Sequence, residues 1–213
     1  MLLDLRLAER NILVIGGGAI GERKARKFIA ESANVTVASL KHTSGLKKLS
    51  RQGKVKLLSF DVKTGEDISR LIANNDIVIA ATDDQVLNER IASQARDAEV
   101  LVCAIDNPSC SDLRFPAIAE KGGVQIALYT RGKSPAMAKL LRQRIERIVK
   151  REDILLIELM DYARGLVKSR VKDRNQRRRI IYTIIRSKKI ASLLRTGSFR
   201  KAKILAREIV ERE

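Results

Sequence analysis

At 213 residues, with 45% hydrophobic side chains and no apolar run near the ~20 residues of a membrane span, the chain reads as globular, large enough for one good core with an appendage. Two cysteines, Cys103 and Cys110, are too few for a disulfide framework and lack the spacing of redox or zinc motifs; with no secretion-signal pattern at the N-terminus, a reducing cytoplasm is expected. The formal net charge of +18 gathers in the tail, where 17 Lys or Arg from Arg164 onward face 4 Asp or Glu. Such an excess suits either a solvated helical surface or an anionic partner, and 3% aromatic residues without Trp argue against base stacking as its use.

Residues 11–16, NILVIG, form a β-branched run that stops at glycine, as a buried parallel strand should. Helix formers follow from Glu22 to Ser32, then strand-like NVTVAS at 34–39 and KVKLLSF at 54–60, with no element assigned between those two. Helix-like GEDISRLIANN leads to DIVIAAT at 76–82, and a helix from about Gln85 to Ala98 precedes VLVCAI at 100–105. Strands alternating with helices at this spacing predict βαβ units, and therefore an α/β, Rossmann-like, doubly wound parallel sheet. From Asp106 the pattern changes. Residues 106–123 read as a long loop, 124–130 as a strand without a partner in the first sheet, and the segment after Ser134 as a helix with Pro135 at its first position. Beyond Arg151 the chain is helical, basic and free of proline. Boundaries fall near 113 and 150.

Gly16, Gly18 and Gly21 satisfy G-x-G-x-x-G directly after a strand and before a helix, the context that a dinucleotide site requires. The first glycine permits the turn, the second lets the backbone approach a pyrophosphate, and the third lets helix and strand pack closely. The second strand ends in Ala38, Ser39, Leu40, Lys41 and His42, with no acid for the ribose hydroxyls. Ser39 and Lys41 suit a 2′-phosphate, or Ser39 and backbone groups a plain ribose, so both NAD and NADP fit.

His42 is the sole histidine, which excludes a histidine triad or a multi-histidine metal site. A proton carrier must then be a carboxylate, Lys, Tyr or Cys. Ligands of open α/β sheets bind beyond the carboxyl ends of the strands, where Thr82, Asp83 and Asp84 follow the fourth strand and Asp106 the fifth. Asp83 and Asp84 also suit a helix N-terminus. Asp106, after VLVCAI and before Asn107 and Pro108, is expected to be partly desolvated and to serve as a general base, with a turn-forming Asp as the alternative. Ser134, with Arg131 and Lys133 beside it, offers either an anion site or a plain helix cap, and Cys103 reads as a small core residue.

Taken together, GGGAIGERKARKF, AATDDQVLNERI, AIDNPSCSDLRFPAI and GKSPAMAKLLRQRIE resemble, in order and spacing, the NAD-dependent precorrin-2 dehydrogenases and sirohydrochlorin ferrochelatases, the module that also begins siroheme synthase. The match covers about residues 1 to 150, and the basic tail only in kind. The resemblance implies an NAD-binding Rossmann domain over 1–113, a small α+β central domain over 114–149 that builds a homodimer, and a helical C-terminal domain over 150–213. It implies oxidation of precorrin-2 to sirohydrochlorin for siroheme biosynthesis, in some members followed by ferrous-ion insertion at the same site, with no fixed metal site required. Asp106 matches the family's proposed general base. Ala19, Ile20, Leu40, Lys41, Thr82 and Asp83 match its cofactor contacts, and Ser134, with neighbouring Lys133, the tetrapyrrole side. The segment before Asp106 departs from relatives that carry Asn-Val-Val there, and nothing in the sequence chooses between members with and without chelatase activity. An anionic tetrapyrrole accounts for the basic charge without nucleic acid or membrane. A different class of reading keeps the Rossmann domain as an NAD(H)-sensing module whose tail docks on an anionic partner.

Overall fold

A computed structural model describes residues 2–61 and 68–212. The chain divides into two compact units, residues 1–115 and 116–213. In the first, β1 (Asn11–Ile15), β2 (Asn34–Ala38), β3 (Lys56–Leu58), β4 (Ile77–Ala80) and β5 (Leu101–Ala104) form one parallel sheet in the order β3-β2-β1-β4-β5. The helices are α1 (Ala19–Ala30), α2 (Ser44–Arg51), α3 (Ile68–Ala73) and α4 (Gln85–Asp97). The doubly wound sheet expected from the alternating pattern is therefore present.

The two-residue period of the strands explains the layering. Ile12 and Val14 of β1, Ile77 and Ile79 of β4 and Val35 and Val37 of β2 pack under α1 and α2 with Ala25, Phe28, Leu46 and Leu49. Leu13, Ile15, Val78, Ala80 and Val102 point the other way, against Ile68, Ile72, Leu87 and Ile91 of α3 and α4. A strand buried on both faces needs an unbroken apolar run, which is what NILVI and IVIA supply.

Two elements were not expected. The short helix α2 follows a Thr43 cap whose Oγ1 accepts from the Leu46 amide, and it buries only Leu46 and Leu49, too brief a period to stand out in sequence. Part of the expected 106–123 loop is a strand, β6 (Ala117–Lys121), pairing antiparallel with β7 (Val124–Leu128). Gly122 and Gly123, at φ 55° and 79°, make the two-residue turn that suits a hairpin. Of the expected helix at 65–75, residues 65–67 lie outside the described residues.

The second unit continues with α5 (Pro135–Ile148), α6 (Arg151–Arg170), α7 (Arg174–Arg186), α8 (Lys188–Arg195) and α9 (Phe199–Arg212). Leu159, Ala163, Ile180, Ile184, Ile190, Leu194 and Ala206 are among the residues that give α6 to α9 a shared core. Helix α5 packs on the hairpin, where Lys121 Nζ donates to the Glu146 and Val149 carbonyls at its C-terminal end. No described helix is long and apolar enough to cross a membrane.

Candidate active site

The strand order reverses between β1 and β4, so the crevice of a doubly wound sheet lies beyond the carboxyl ends of these two strands. Gly16 ends β1 there at φ 120°, and a side chain on it would meet the Ala81 carbonyl oxygen at 2.3 Å. A Cβ on Gly21 would lie 1.9 Å from the Gly16 carbonyl oxygen, so α1 can seat on β1 only with glycine at that turn. Gly18 is different: a Cβ there would meet nothing within 4 Å. It is the N-cap of α1, is exposed, and provides no side-chain cap for the helix amides. The loop thus presents uncapped amides and clear space together, which fits a dinucleotide pyrophosphate.

Gly17, which the motif leaves unspecified, is equally constrained, because its Cβ would lie 2.1 Å from the Lys41 carbonyl oxygen. The turn after β2 crosses the glycine loop at this point, and the Thr43 amide donates to the Gly17 carbonyl at 3.1 Å. Ser39 is half-buried, while Leu40 and Lys41 are exposed, Leu40 by 61%. Ala19 and Ile20 are exposed on the first turn of α1. The His42 ring lies against Gly17, its Nε2 3.3 Å from the Val37 carbonyl, a packing role. The Glu22 carboxylate accepts from Thr43 Oγ1 and from Arg26, and these hydrogen bonds, Thr43 first, hold it below the usual carboxylate range.

Beyond β4, Asp84 is the N-cap of α4, its Oδ1 accepting from the Leu87 amide at 3.1 Å, and Asp83 is exposed. Beyond β5, the expectation of a partly desolvated Asp106 is corrected: within this chain its side chain is exposed, because β5 ends at Ala104 and the backbone leaves the sheet through Ile105. The turn that follows is capped by Asn107, whose Oδ1 accepts from the Ser109 amide at 3.1 Å, so the turn-forming role belongs to Asn107 and not to Asp106.

Sequence reasoning missed Asn88. Its amide joins Thr82 to Asp106, donating from Nδ2 to Asp106 Oδ2 at 3.1 Å and to the Thr82 carbonyl at 3.2 Å. The signal was a single polar residue in the buried α4 stripe of Leu87, Asn88, Ile91, Ala92 and Ala95. Cys103 is buried, and burial pushes its thiol up. Beside it, burial holds the Lys24 amine down to about 8, with Nζ 3.4 Å from the Phe115 ring centre.

In the second unit, Ser134 is the N-cap of α5 and its Oγ accepts from the Met137 amide at 3.2 Å, with Pro135 in the first turn as expected. Lys133 is exposed, next to Arg131 and Gly132 at φ 53° and 76°. Among the described residues no three His, Cys, Asp or Glu side chains gather as a metal site. A concavity of about 820 Å³ in the first unit lies at the opposite sheet edge, around Asn34, Lys54 and Lys56, and contains none of the candidate residues.

Comparison with known proteins agrees with this fold. Residues 3–117 match the family model NAD_binding_7, described as NAD(P)-binding. A precorrin-2 dehydrogenase of Methanosarcina barkeri is 33% identical over 190 residues, spanning 88% of this chain and 84% of that protein. A siroheme synthase of Gluconacetobacter diazotrophicus is 31% identical over 178 residues, covering 84% of this chain but only 38% of its own length. The solved structure of SirC, a precorrin-2 dehydrogenase, superposes with a TM-score of 0.73 over 100% of this chain and 98% of its own, at 20% identity, and so shares the fold. With a nicotinamide-dinucleotide fold in its first unit and homology along most of its length, the chain belongs to the precorrin-2 dehydrogenase family.

Proposed function

We propose that this chain oxidises precorrin-2 to sirohydrochlorin with NAD, in the formation of siroheme. One observation carries the reading: the glycine loop and the Asp106 carboxylate occupy the same strand-end edge, where the Gly16 turn lies against Ala81 and Thr82 and Asn88 joins Thr82 to Asp106. In the reaction the macrocycle loses a hydride and a proton, and a bound nicotinamide supplies the hydride acceptor. The residues of the chain do the rest. The α1 amides behind Gly16, Gly18, Ala19, Ile20 and Gly21 hold the pyrophosphate, Ser39, Leu40 and Lys41 hold the adenosine, and Thr82 and Asp83 border the nicotinamide. Asp106 takes the proton, and its exposure leaves it accessible to a large substrate. The family model, described as NAD(P)-binding, supports a nicotinamide dinucleotide, and the resemblance to NAD-dependent enzymes favours NAD; Ser39 and Lys41 would also accept a 2′-phosphate, so the test includes both dinucleotides.

Ser134 and Lys133 are proposed contacts of the polycarboxylate macrocycle, whose local concentration the basic second unit would raise. Ferrous-ion insertion, with Asp106 receiving the pyrrole protons, is the second reaction that the family suggests. Residues 114–149 are proposed as the central domain of a cytoplasmic homodimer. Helix α5 buries Ala138 alone, Ile148 is 70% exposed, and a two-stranded hairpin is marginal without a partner.

Anaerobic incubation with precorrin-2 and either NAD or NADP, followed by the absorption spectrum, tests the reading. Sirohydrochlorin should form with NAD, and added ferrous ion then reports any insertion above an enzyme-free control. No oxidation with either dinucleotide would return the fold to an NAD(H)-sensing module.

A further inference from the structure

Asn88 is 1% exposed, and it is the one polar side chain in the buried set among the described residues. A core position on a helix, flanked by Leu87, Ile91 and Ala92, ordinarily takes an apolar residue, because a buried amide is costly unless every polar atom is paired. Here every one is paired. Oδ1 accepts from the Thr82 amide at 3.1 Å and from Thr82 Oγ1 at 2.7 Å, while Nδ2 donates to the Thr82 carbonyl at 3.2 Å and to Asp106 Oδ2 at 3.1 Å. An amide has two acceptor sites and two donors, so its capacity is filled. The orientation is also determined, since the flipped amide would set its NH₂ against the Thr82 N–H.

Three of the four bonds close around one residue, Thr82, where β4 leaves the sheet. The fourth crosses to the loop after β5 and holds one oxygen of an otherwise exposed carboxylate. A residue needed only to finish the α4 core would not reach a solvent-facing acid. We propose that Asn88 is a positioning residue of the active site: it fixes Asp106 Oδ2 relative to the end of β4 and leaves Oδ1 to take the substrate proton. This inference rests on the reading of Asp106 as the base. It explains how an exposed carboxylate is kept in a single orientation beside the cofactor edge, which an unrestrained side chain on a loop would not maintain.

Asn88→Asp is the sharpest test, because it keeps the shape and the acceptor toward the Thr82 amide and Oγ1 but turns Nδ2, which donates to Asp106 Oδ2 and to the Thr82 carbonyl, into an oxygen. In the full chain, kcat for precorrin-2 oxidation should fall about 10- to 100-fold. The NAD Kd and the KM for precorrin-2 should move less than about threefold, far less than kcat, since the Thr82 amide and Oγ1 keep their bonds to the oxygen at position 88. Asn88→Ser, which shortens the side chain without adding charge, should lose kcat in the same direction. The decisive arm is a double-mutant cycle read by single turnover: in the Asp106→Ala background the Asn88→Asp change should cost no further rate. An equal loss in both backgrounds, or an unchanged kcat in the single variants, overturns the proposal. Full activity of Asp106→Ala alone would instead show that the base assignment has failed, a different result.

Discussion

The two units of the chain share its charged residues unequally. Residues 1–115 carry 17 Lys or Arg against 15 Asp or Glu, whereas residues 116–213 carry 26 against 10. In the first unit the informative residues are held by single contacts of atomic precision: the Gly16 turn, the Gly21 seat, the Asn88 amide. In the second, cations line solvated helices, as where Arg178 and Arg186 lie 5.8 and 5.4 Å from the ring of Tyr182, itself 44% exposed. Steric and hydrogen-bonded sites fail abruptly when one atom changes. A field summed over many charges fails by degrees. Substitutions at these first-unit contacts should therefore have large effects that salt does not relieve, and those in the second should be graded and sensitive to salt.

The largest effects are expected in the glycine loop, and they should differ by position. Gly21→Ala should prevent the first unit from folding, because its Cβ would overlap the Gly16 carbonyl oxygen, and far-UV circular dichroism would report the loss. Gly18→Asp has open space and should fold with an unchanged unfolding midpoint, while NAD affinity drops by at least about 100-fold as a carboxylate enters the pyrophosphate cradle. A titration in which Gly18→Asp still bound NAD normally would place the cofactor elsewhere.

A smaller, graded effect is expected from the second unit. Reversing Arg178 and Arg186 to Glu should lower kcat/KM for precorrin-2 about fivefold at low ionic strength, leave kcat unchanged, and lose its effect as salt is raised. An equal loss at every salt concentration would mean that these two arginines make specific contacts.

The smallest effect tests burial in the first unit. The Lys24 amine titrates near 8 in the folded chain against 10.5 in the open one. Between those values the unfolded chain binds the extra proton, so stability should rise with pH above about 8, by less than about 1 kcal/mol for a partly solvated amine. Below about 8 both states are protonated and the cost of burying the charge is felt in full. The Cys103 thiol, raised above 9.0 by burial, acts with the opposite sign at higher pH, because the unfolded chain releases that proton first. The urea midpoint should therefore increase between pH 8 and 9, and Lys24→Met should abolish the increase; a flat profile in the parent chain would remove Lys24 from the account.

The parallel sheet was legible because strands buried on both faces must be continuous apolar runs, and NILVI, IVIA and LVCA are such runs between glycines and acids. Helix α2 was not, since two leucines three residues apart carry too little period, and β6 was hidden by the prolines and serines before it. At the site, glycine spacing pointed to Gly16, Gly18 and Gly21 but could not reveal Gly17, whose constraint comes from a turn 24 residues away at Lys41. Exposure of Asp106 was misread because an apolar strand does not report how its last residues leave the sheet. Asn88 was visible only as an exception to a pattern, and its meaning needed the two loops that it joins.

The most direct test of the account is to measure NAD affinity and precorrin-2 oxidation side by side in the parent chain and in Asp106→Ala. The account predicts an unchanged Kd for NAD and a rate of sirohydrochlorin formation reduced by about 10²-fold or more, the share of a positioned general base. Full oxidation by Asp106→Ala, with NAD bound as tightly as before, would contradict the assignment of Asp106 as the base.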